Sequence, residues 1–526
     1  MKKFKKEILI GIIFVSLYFI IGIFTLDDYG FTWDDPQEFS YAEANFKYII
    51  SKDKAVLSKI AYYTYSPSNV GNLIGFFSKK IFYDWIKIMS LDSAYHLAGI
   101  IFGSLTLLFI FFFCLKEFGL KTAIISSLSF ALFPRIFGHI HNNVKDVTVM
   151  FAFTFTLISF YYLYKTKEKK WFYISAFSLG FAFNTKLLTI FLIPIIISWF
   201  ILVHYLNSEF NDKNKLRKYD FVKATLIFLI TLYILNPAYW IHPSFFFKTL
   251  FMMNSFTNSP FASANDYYPV LIFGNILTQA NVPFYYIPLM FGIVTPISIL
   301  ILFLIGFHKT VKELKKPLHL LLFIWILVPI IIYAIINISI YNIIRHVLFL
   351  VPPLCILAGV GGAYLIKSLN KFIPKKKRLE KIFQTMIFII IFSLPLIDTI
   401  TYHPYQTTYF NRLIGGIKGA EENFELEYWG NSYKEGSKWL NENAEENATI
   451  IVPIAEWLPR YYLRKDISIK KEINTYEKNL YVMFMIDNTY KNNLMNTLES
   501  SKKSIHSIII KRVPILQIYK LSKIEK

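Results

Sequence analysis

Two adjacent carboxylates, Asp34 and Asp35, follow the first apolar run in the stretch Phe31-Thr32-Trp33-Asp34-Asp35-Pro36-Gln37-Glu38. Side-by-side acids repel, so one of them can keep a proton, or release it when cations or a metal approach. That is the equipment of a general base. The same residues also suit a plain helix cap, because Asp accepts free N–H groups and Pro36 is at home in a first turn. A second polar cluster, in residues 133–146, holds Arg135, His139, His141, Asn142, Asn143, Lys145 and Asp146 between apolar runs. A charge at the centre of a bilayer costs roughly 2.5–3.5 kcal/mol, so such clusters usually serve a function. The pair His139 and His141 could bind a metal, but without adjoining carboxylates interfacial hydrogen bonding is the favoured reading. A third site is Arg345-His346, with Pro352-Pro353 a few residues on. A planar guanidinium there could grip an anionic head group in bidentate fashion, or simply snorkel to the interface.

These residues are positioned by a membrane-spanning frame. The chain of 526 residues is 55% hydrophobic and only 17% charged, with its apolar residues in long runs. Each run near the roughly 20 residues that cross a bilayer reads as a span. About eleven runs start near Ile8, Ser93, Thr122, Val147, Trp171, Leu187, Phe221, Phe284, Pro317, His346 and Ile382. The first, behind Lys2 to Lys6, is too long for a leader's core and lacks a small-residue cleavage site, so it reads as a retained span.

The net charge of +21 does not point to nucleic acid. Lysine and arginine crowd alternate breaks between apolar runs, which the positive-inside rule places in the cytoplasm. Asp34, Asp35, Arg135, His139, Lys145, Asp146 and Arg345 then share the outer face of a cell (inner) membrane. Cys114 and Cys355 lie inside apolar runs and form no disulfide framework. A transporter would place ionisable groups at mid-bilayer in paired halves, a pattern absent from this sequence.

Two outer segments are long. Residues 27–91 carry aromatics and lysines at helical spacing around 41–48 and 70–88, predicting helices that lie in the interface. Residues 236–283 suit either a lid or an amphipathic belt helix. Beyond residue 401 the pattern changes to a helix at 433–443 and strands at 448–453, 480–486, 505–510 and 513–519. The expected fold is a polytopic α-helical membrane domain over residues 1–400. A small extracytoplasmic α/β domain follows over residues 401–526, within the ordinary size of one domain.

The motifs, taken in order, resemble the GT-C membrane glycosyltransferases, in particular the dolichyl-phosphate-mannose–protein mannosyltransferase and aminoarabinose-transferase-like group. Thr32-Trp33-Asp34-Asp35-Pro36 is similar to that group's Asp-Glu motif, with Asp35 in the glutamate's place. Pro134-Arg135-Ile136-Phe137-Gly138-His139 with Lys145-Asp146, Arg345-His346-Val347-Leu348-Phe349, the Pro404-Tyr405-Gln406 run through Tyr409-Phe410-Asn411, Tyr428-Trp429-Gly430 and Val513-Pro514-Ile515-Leu516 resemble signatures of bacterial members. The resemblance implies transfer of a sugar from a polyprenyl-phosphate carrier to a glycan, lipid or protein acceptor on the outer face, with inversion. It implies Asp34 as the base, with Asp35 and Asp146 positioning the acceptor or Lys145. Arg345, Lys145 and Arg135 would hold the donor phosphate, with His139 and His346 in second rank. No cofactor is required, and a divalent metal is left open. A lipid-linked glycan flippase, ligase or polymerase is the rival reading. It would share the spans and cations without needing the acid pair beside a C-terminal domain.

Overall fold

The computed structural model describes residues 2–53, 55–56, 70–206, 217–241, 269–278, 281–336, 340–372, 377–471 and 479–521. Most of the outer segment read as a lid or belt helix therefore lies outside the described residues. Apolar runs fold as helices because a helix satisfies every backbone polar group within the segment, which a bilayer core demands. The helices in chain order are α1 (Lys2–Phe24), α2 (Asp35–Ser51), α3 (Val70–Lys79), α4 (Leu91–Phe118), α5 (Leu120–Ala131), α6 (Pro134–Asn142), α7 (Val144–Thr166), α8 (Lys169–Phe183), α9 (Leu192–Leu206) and α10 (Lys218–Ile234). They continue with α11 (Tyr286–Val294), α12 (Ile297–Lys312), α13 (Pro317–Ile336), α14 (Val351–Leu369) and α15 (Lys377–Thr401).

Among the described residues, seven helices are long and apolar enough to cross a membrane, or eight if α5 and α6 count as one bent span. The protein is an integral membrane protein. The expected spans near Trp171, Phe221 and Phe284 fall on α8, α10 and the α11–α12 pair, all shorter than that length test. The bend between α5 and α6 is 64°. Pro134 causes it: its ring removes an N–H donor and clashes with the turn before it, so a new helix starts there. The helical body packs closely where small residues allow it. A Cβ on Gly306 of α12 would stand 1.9 Å from the Leu357 carbonyl oxygen, and one on Gly361 of α14 would stand 2.0 Å from that of Leu302. Only glycines permit that approach.

The first outer segment departs from expectation. Its second helical stretch, α3, does not lie free in an interface: Val70, Leu73, Gly75 and Phe76 are buried, and α3 packs on α4. Phe76 meets Phe39 of α2 at a ring-centroid distance of 5.1 Å. The face of α3 is thus covered by the protein's own helices, while Ile81, Tyr83, Trp85, Ile86 and Ile88 beyond it remain exposed, as an interfacial stretch requires.

The C-terminal part folds as α16 (Ser432–Asn443) and α17 (Asn493–Ser501) on a five-stranded sheet. Its strands are β1 (Thr449–Ile451), β2 (Ser468–Lys470), β3 (Leu480–Met485), β4 (His506–Ile510) and β5 (Val513–Leu521), in spatial order β2-β1-β3-β5-β4. The strand β1 runs parallel to β2 and β3, while β5 is antiparallel to β3 and β4. All six residues of β3 are buried, as a central strand covered on both faces requires. The helix and four of these strands were legible from helix-like and strand-like apolar runs. The short β2 and α17 carry too few apolar residues to announce themselves.

Candidate active site

The acid pair sits where the first outer segment turns into α2. Asp35 opens this helix, although a residue before proline is biased to extended backbone. Asp35 is nonetheless helical, and its backbone N–H donates to the Thr32 carbonyl at 3.1 Å. Its Oδ2 accepts the backbone N–H of Thr32 at 2.6 Å and the Thr32 hydroxyl at 2.7 Å. His96 Nε2 of α4 stands 2.9 Å from the same oxygen. Asp35 is buried, and its carboxylate ties Thr32 and His96 to the start of the helix. Asp34 points the other way, to Arg345.

Arg345 is the hub. Its Nη2 bonds Asp34, and its Nε donates to Asp146 Oδ2 at 3.2 Å. The guanidinium carbon lies 4.3 Å from the Trp429 ring centroid, a stacked cation–π contact. Asp146, in the first turn of α7, also accepts Lys186 Nζ at 2.7 Å. Lys145 pairs with Glu38 of α2 rather than with Asp146. Three acids (Asp34, Glu38, Asp146) and three bases (Lys145, Lys186, Arg345) thus meet where the loops converge. A balanced set is what permits buried charge, since an unpaired ion there is strongly destabilising.

Asn143 extends the network by donating to Asp146 Oδ2 at 3.1 Å and lying 3.2 Å from His139 Nδ1. His139 in turn lies 3.5 Å from the Tyr428 hydroxyl, which burial pushes up to about 12. His346 is packed on Tyr341 at 4.4 Å between ring centroids, with its Nε2 buried and unpartnered. Arg135 stands apart from the hub: its Nε donates to the Tyr409 carbonyl at 2.8 Å and it stacks on Phe410. Its guanidinium is fully buried beside Tyr428. His141 is structural, stacked on Tyr29 at 4.3 Å and 2.9 Å from the Thr25 hydroxyl. Among the described residues, no group of three His, Cys, Asp or Glu side chains is placed to hold a metal ion.

The loop preceding α16 ties the site together. The Trp429 carbonyl accepts the Trp33 N–H at 2.8 Å, next to the acid pair. On its other side Glu425 accepts the Asn342 N–H at 3.0 Å, just before Arg345. Asn342 and Ile343 have φ of 56° and 62°. A β-branched residue in that region is strained by about 1–3 kcal/mol, and such strain persists only where surroundings over-determine it. Here Glu425 and the Tyr286 hydroxyl supply the restraint. Gly430, with φ of 78°, makes the turn that presents Trp429, and Glu427 accepts its N–H at 2.6 Å. Burial pushes the Glu427 carboxyl up to about 7 and that of Asp487 to about 6.

A second tie runs from α16. Lys434 Nζ lies 2.8 Å from Asp92 Oδ2 of α4 and donates to the carbonyls of Asp27 and Tyr29 at 2.8 and 3.1 Å. The Tyr462 hydroxyl donates to Asp92 at 3.0 Å and accepts the Phe31 N–H at 2.7 Å. The C-terminal part therefore grips both ends of the segment bearing Asp34. Sequence reasoning missed Lys186, Glu38, His96, Asp92 and Lys434. Lys186 had a signal, as the lone cation in an otherwise uncharged break; the others look like ordinary loop or helix residues.

Residues 85–240 match the family model for dolichyl-phosphate-mannose-protein mannosyltransferase. Among solved structures, ArnT from Cupriavidus metallidurans in the apo state aligns with a TM-score of 0.52 at 12% identity, over 96% of this chain and 97% of its own. The oligosaccharyltransferase of Archaeoglobus fulgidus in the apo form aligns with a TM-score of 0.50 at 13% identity, over 89% of this chain and 62% of its own. No curated protein sequence matches the chain. At these identities the likeness is one of fold, which this chain shares with ArnT over nearly the whole of both chains.

Proposed function

We propose that this protein is a membrane glycosyltransferase that moves a sugar from a polyprenyl-phosphate-linked donor to an acceptor hydroxyl on the outer face of the membrane. The observation that carries the reading is Arg345, held between Asp34 and Asp146 and stacked on Trp429. A lipid phosphate leaves already ionised, so it needs cations rather than a general acid. Arg345 suits it through a planar fork and Lys145 as a point charge.

Asp34 engages Arg345 where a phosphate oxygen would bind. Donor binding then releases the Asp34 carboxylate beside the reacting centre. The acceptor hydroxyl gives its proton to Asp34 as its oxygen bonds the anomeric carbon from the face opposite the phosphate. The bond from that carbon to the phosphate oxygen breaks, and the lipid phosphate leaves with the electron pair. Inversion follows from the single displacement. His139, beside Asn143 and Tyr428, orders hydrogen bonds of the same cluster, and His346 packs on Tyr341 next to it. The acceptor is a glycan, lipid or protein of the envelope.

Mass spectrometry of cell-envelope glycans and glycoproteins, with and without this protein, tests the reading. One sugar should disappear from an envelope product while its polyprenyl-phosphate donor accumulates, and Asp34→Asn should fail to restore it. Full restoration by an Asp34→Asn/Asp35→Asn double variant would make the protein a non-catalytic assembly partner. Reporters fused after Lys526 and within residues 375–381 should lie outside and inside respectively; the same side for both would remove the outer-face assignment.

A further inference from the structure

The basic breaks frame a cavity at the end of the helical body opposite the acid–arginine cluster. It has a volume of about 350 Å³ between the ends of α4, α12 and α14 and the first turn of α5. Lys309, Lys367 and Lys371 line it together with Tyr364, Phe118 and Val360, and no Asp or Glu does. Lys309 Nζ stands 5.4 Å from the Tyr364 ring centroid, one turn beyond the close contact of Gly306 with α14. A larger cavity of about 580 Å³ adjoins it and shares Phe118, Lys309 and Val360. The acids of that neighbour are already engaged: Glu117 by Lys165 and the Tyr161 hydroxyl, and Glu313 by Lys316 and His319. Among the described residues, none of the three lysines of the smaller cavity is in an ion pair.

We propose that this cavity binds the phosphodiester head group of an anionic phospholipid from the leaflet at this end, cytoplasmic by the charge asymmetry. Three like charges around one small space repel, and an anion between them relieves that repulsion. The wall is not wholly polar: Phe118 and Val360 offer apolar surface that a free inorganic ion would leave wet and a glycerol backbone would cover. Basic pockets between transmembrane helices on the cytoplasmic side have the chemistry to hold anionic head groups. The proposal is independent of the catalytic reading, because no residue of the acid–arginine cluster takes part.

The test is a titration of the purified full chain in phosphatidylethanolamine nanodiscs with phosphatidylglycerol, read by native mass spectrometry. Lys367 and Lys371 are exposed, so Lys367→Gln/Lys371→Gln keeps the fold. At roughly fivefold per lysine near a membrane surface, this double variant should weaken phosphatidylglycerol retention about 25-fold, and adding Lys309→Gln on the order of 100-fold. Replacing the same lysines with arginine should preserve it. Unchanged retention in the double variant overturns the proposal, as does equal retention of phosphatidylethanolamine by the unaltered protein. Displacement of phosphatidylglycerol by inorganic phosphate would make this a soluble-anion site and overturn the lipid assignment.

Discussion

Replacing Asp34 and Asp35 one at a time should separate chemistry from architecture. The Asp34 side chain keeps 30% of its surface exposed, and its partner Arg345 still holds Asp146 when Asp34 is neutralised. Asp34→Asn preserves shape and removes the proton acceptor. Loss of a general base typically costs about 10²–10⁴-fold in turnover, equivalent to about 2.7–5.4 kcal/mol of barrier. Its thermal stability should change by no more than about 1 kcal/mol, the scale of a partly exposed ion pair. Asp35 is the opposite case. Its buried Oδ2 is shared by the Thr32 N–H, the Thr32 hydroxyl and His96. Asp35→Ala orphans three groups at about 1–3 kcal/mol each, or roughly 3–9 kcal/mol together. That rivals the whole stability of a typical domain, about 5–15 kcal/mol. Asp35→Glu should also be costly, since an extra methylene in a packed site costs about 1–3 kcal/mol. The assay is turnover at saturating donor beside thermal unfolding of the same preparations. If Asp35→Ala is as stable as the parent and loses only turnover, while Asp34→Asn turns over normally, the two roles are reversed.

Arg345→Lys keeps the charge but cannot span both carboxylates and stack on Trp429, so donor affinity should fall about 10–150-fold, the worth of one charge-assisted hydrogen bond; unchanged donor binding would remove Arg345 from the phosphate site. Lys434→Met should destabilise the protein by about 3–5 kcal/mol, because it strands the buried Asp92 carboxylate. Asp92→Asn in the same chain should recover much of that loss, and a double-mutant cycle by thermal unfolding showing no coupling would dismiss the tie. The Glu427 and Asp487 carboxyls, raised to about 7 and about 6, hold protons in the folded protein that the unfolded chain releases above its ordinary carboxylate range. Stability should therefore fall as pH rises from about 4.5 to about 7. Glu427→Gln, which still accepts from Gly430, should flatten that slope in thermal midpoints measured across the window; an identical slope would mean Glu427 is ionised in the fold.

Much of the frame was written in local pattern. Apolar runs of bilayer length placed the helices, because a bilayer forces each run to satisfy its own backbone polar groups. Short β-branched and aromatic apolar runs placed β1, β3, β4 and β5, because such side chains fit a pleated, buried sheet. Asp34, Asp146 and Arg345 stood out by type and by the cost of charge near apolar spans. Who pairs with whom was not local. Asp34 and Arg345 are 311 residues apart, and Lys434 and Asp92 are 342 apart. Asp35 reads the same as Asp34 in the sequence, and only folding makes one a buried anchor for Thr32 and His96 and the other Arg345's partner. Lys145 likewise forgoes the partner that proximity in sequence suggests, since it pairs with Glu38 while the adjacent Asp146 turns to Lys186 and Arg345. Hydropathy and period depend on a residue and its near neighbours, whereas an ion pair depends on which loops the helical body brings within about 4 Å. That distance is decided by the packing of the whole chain.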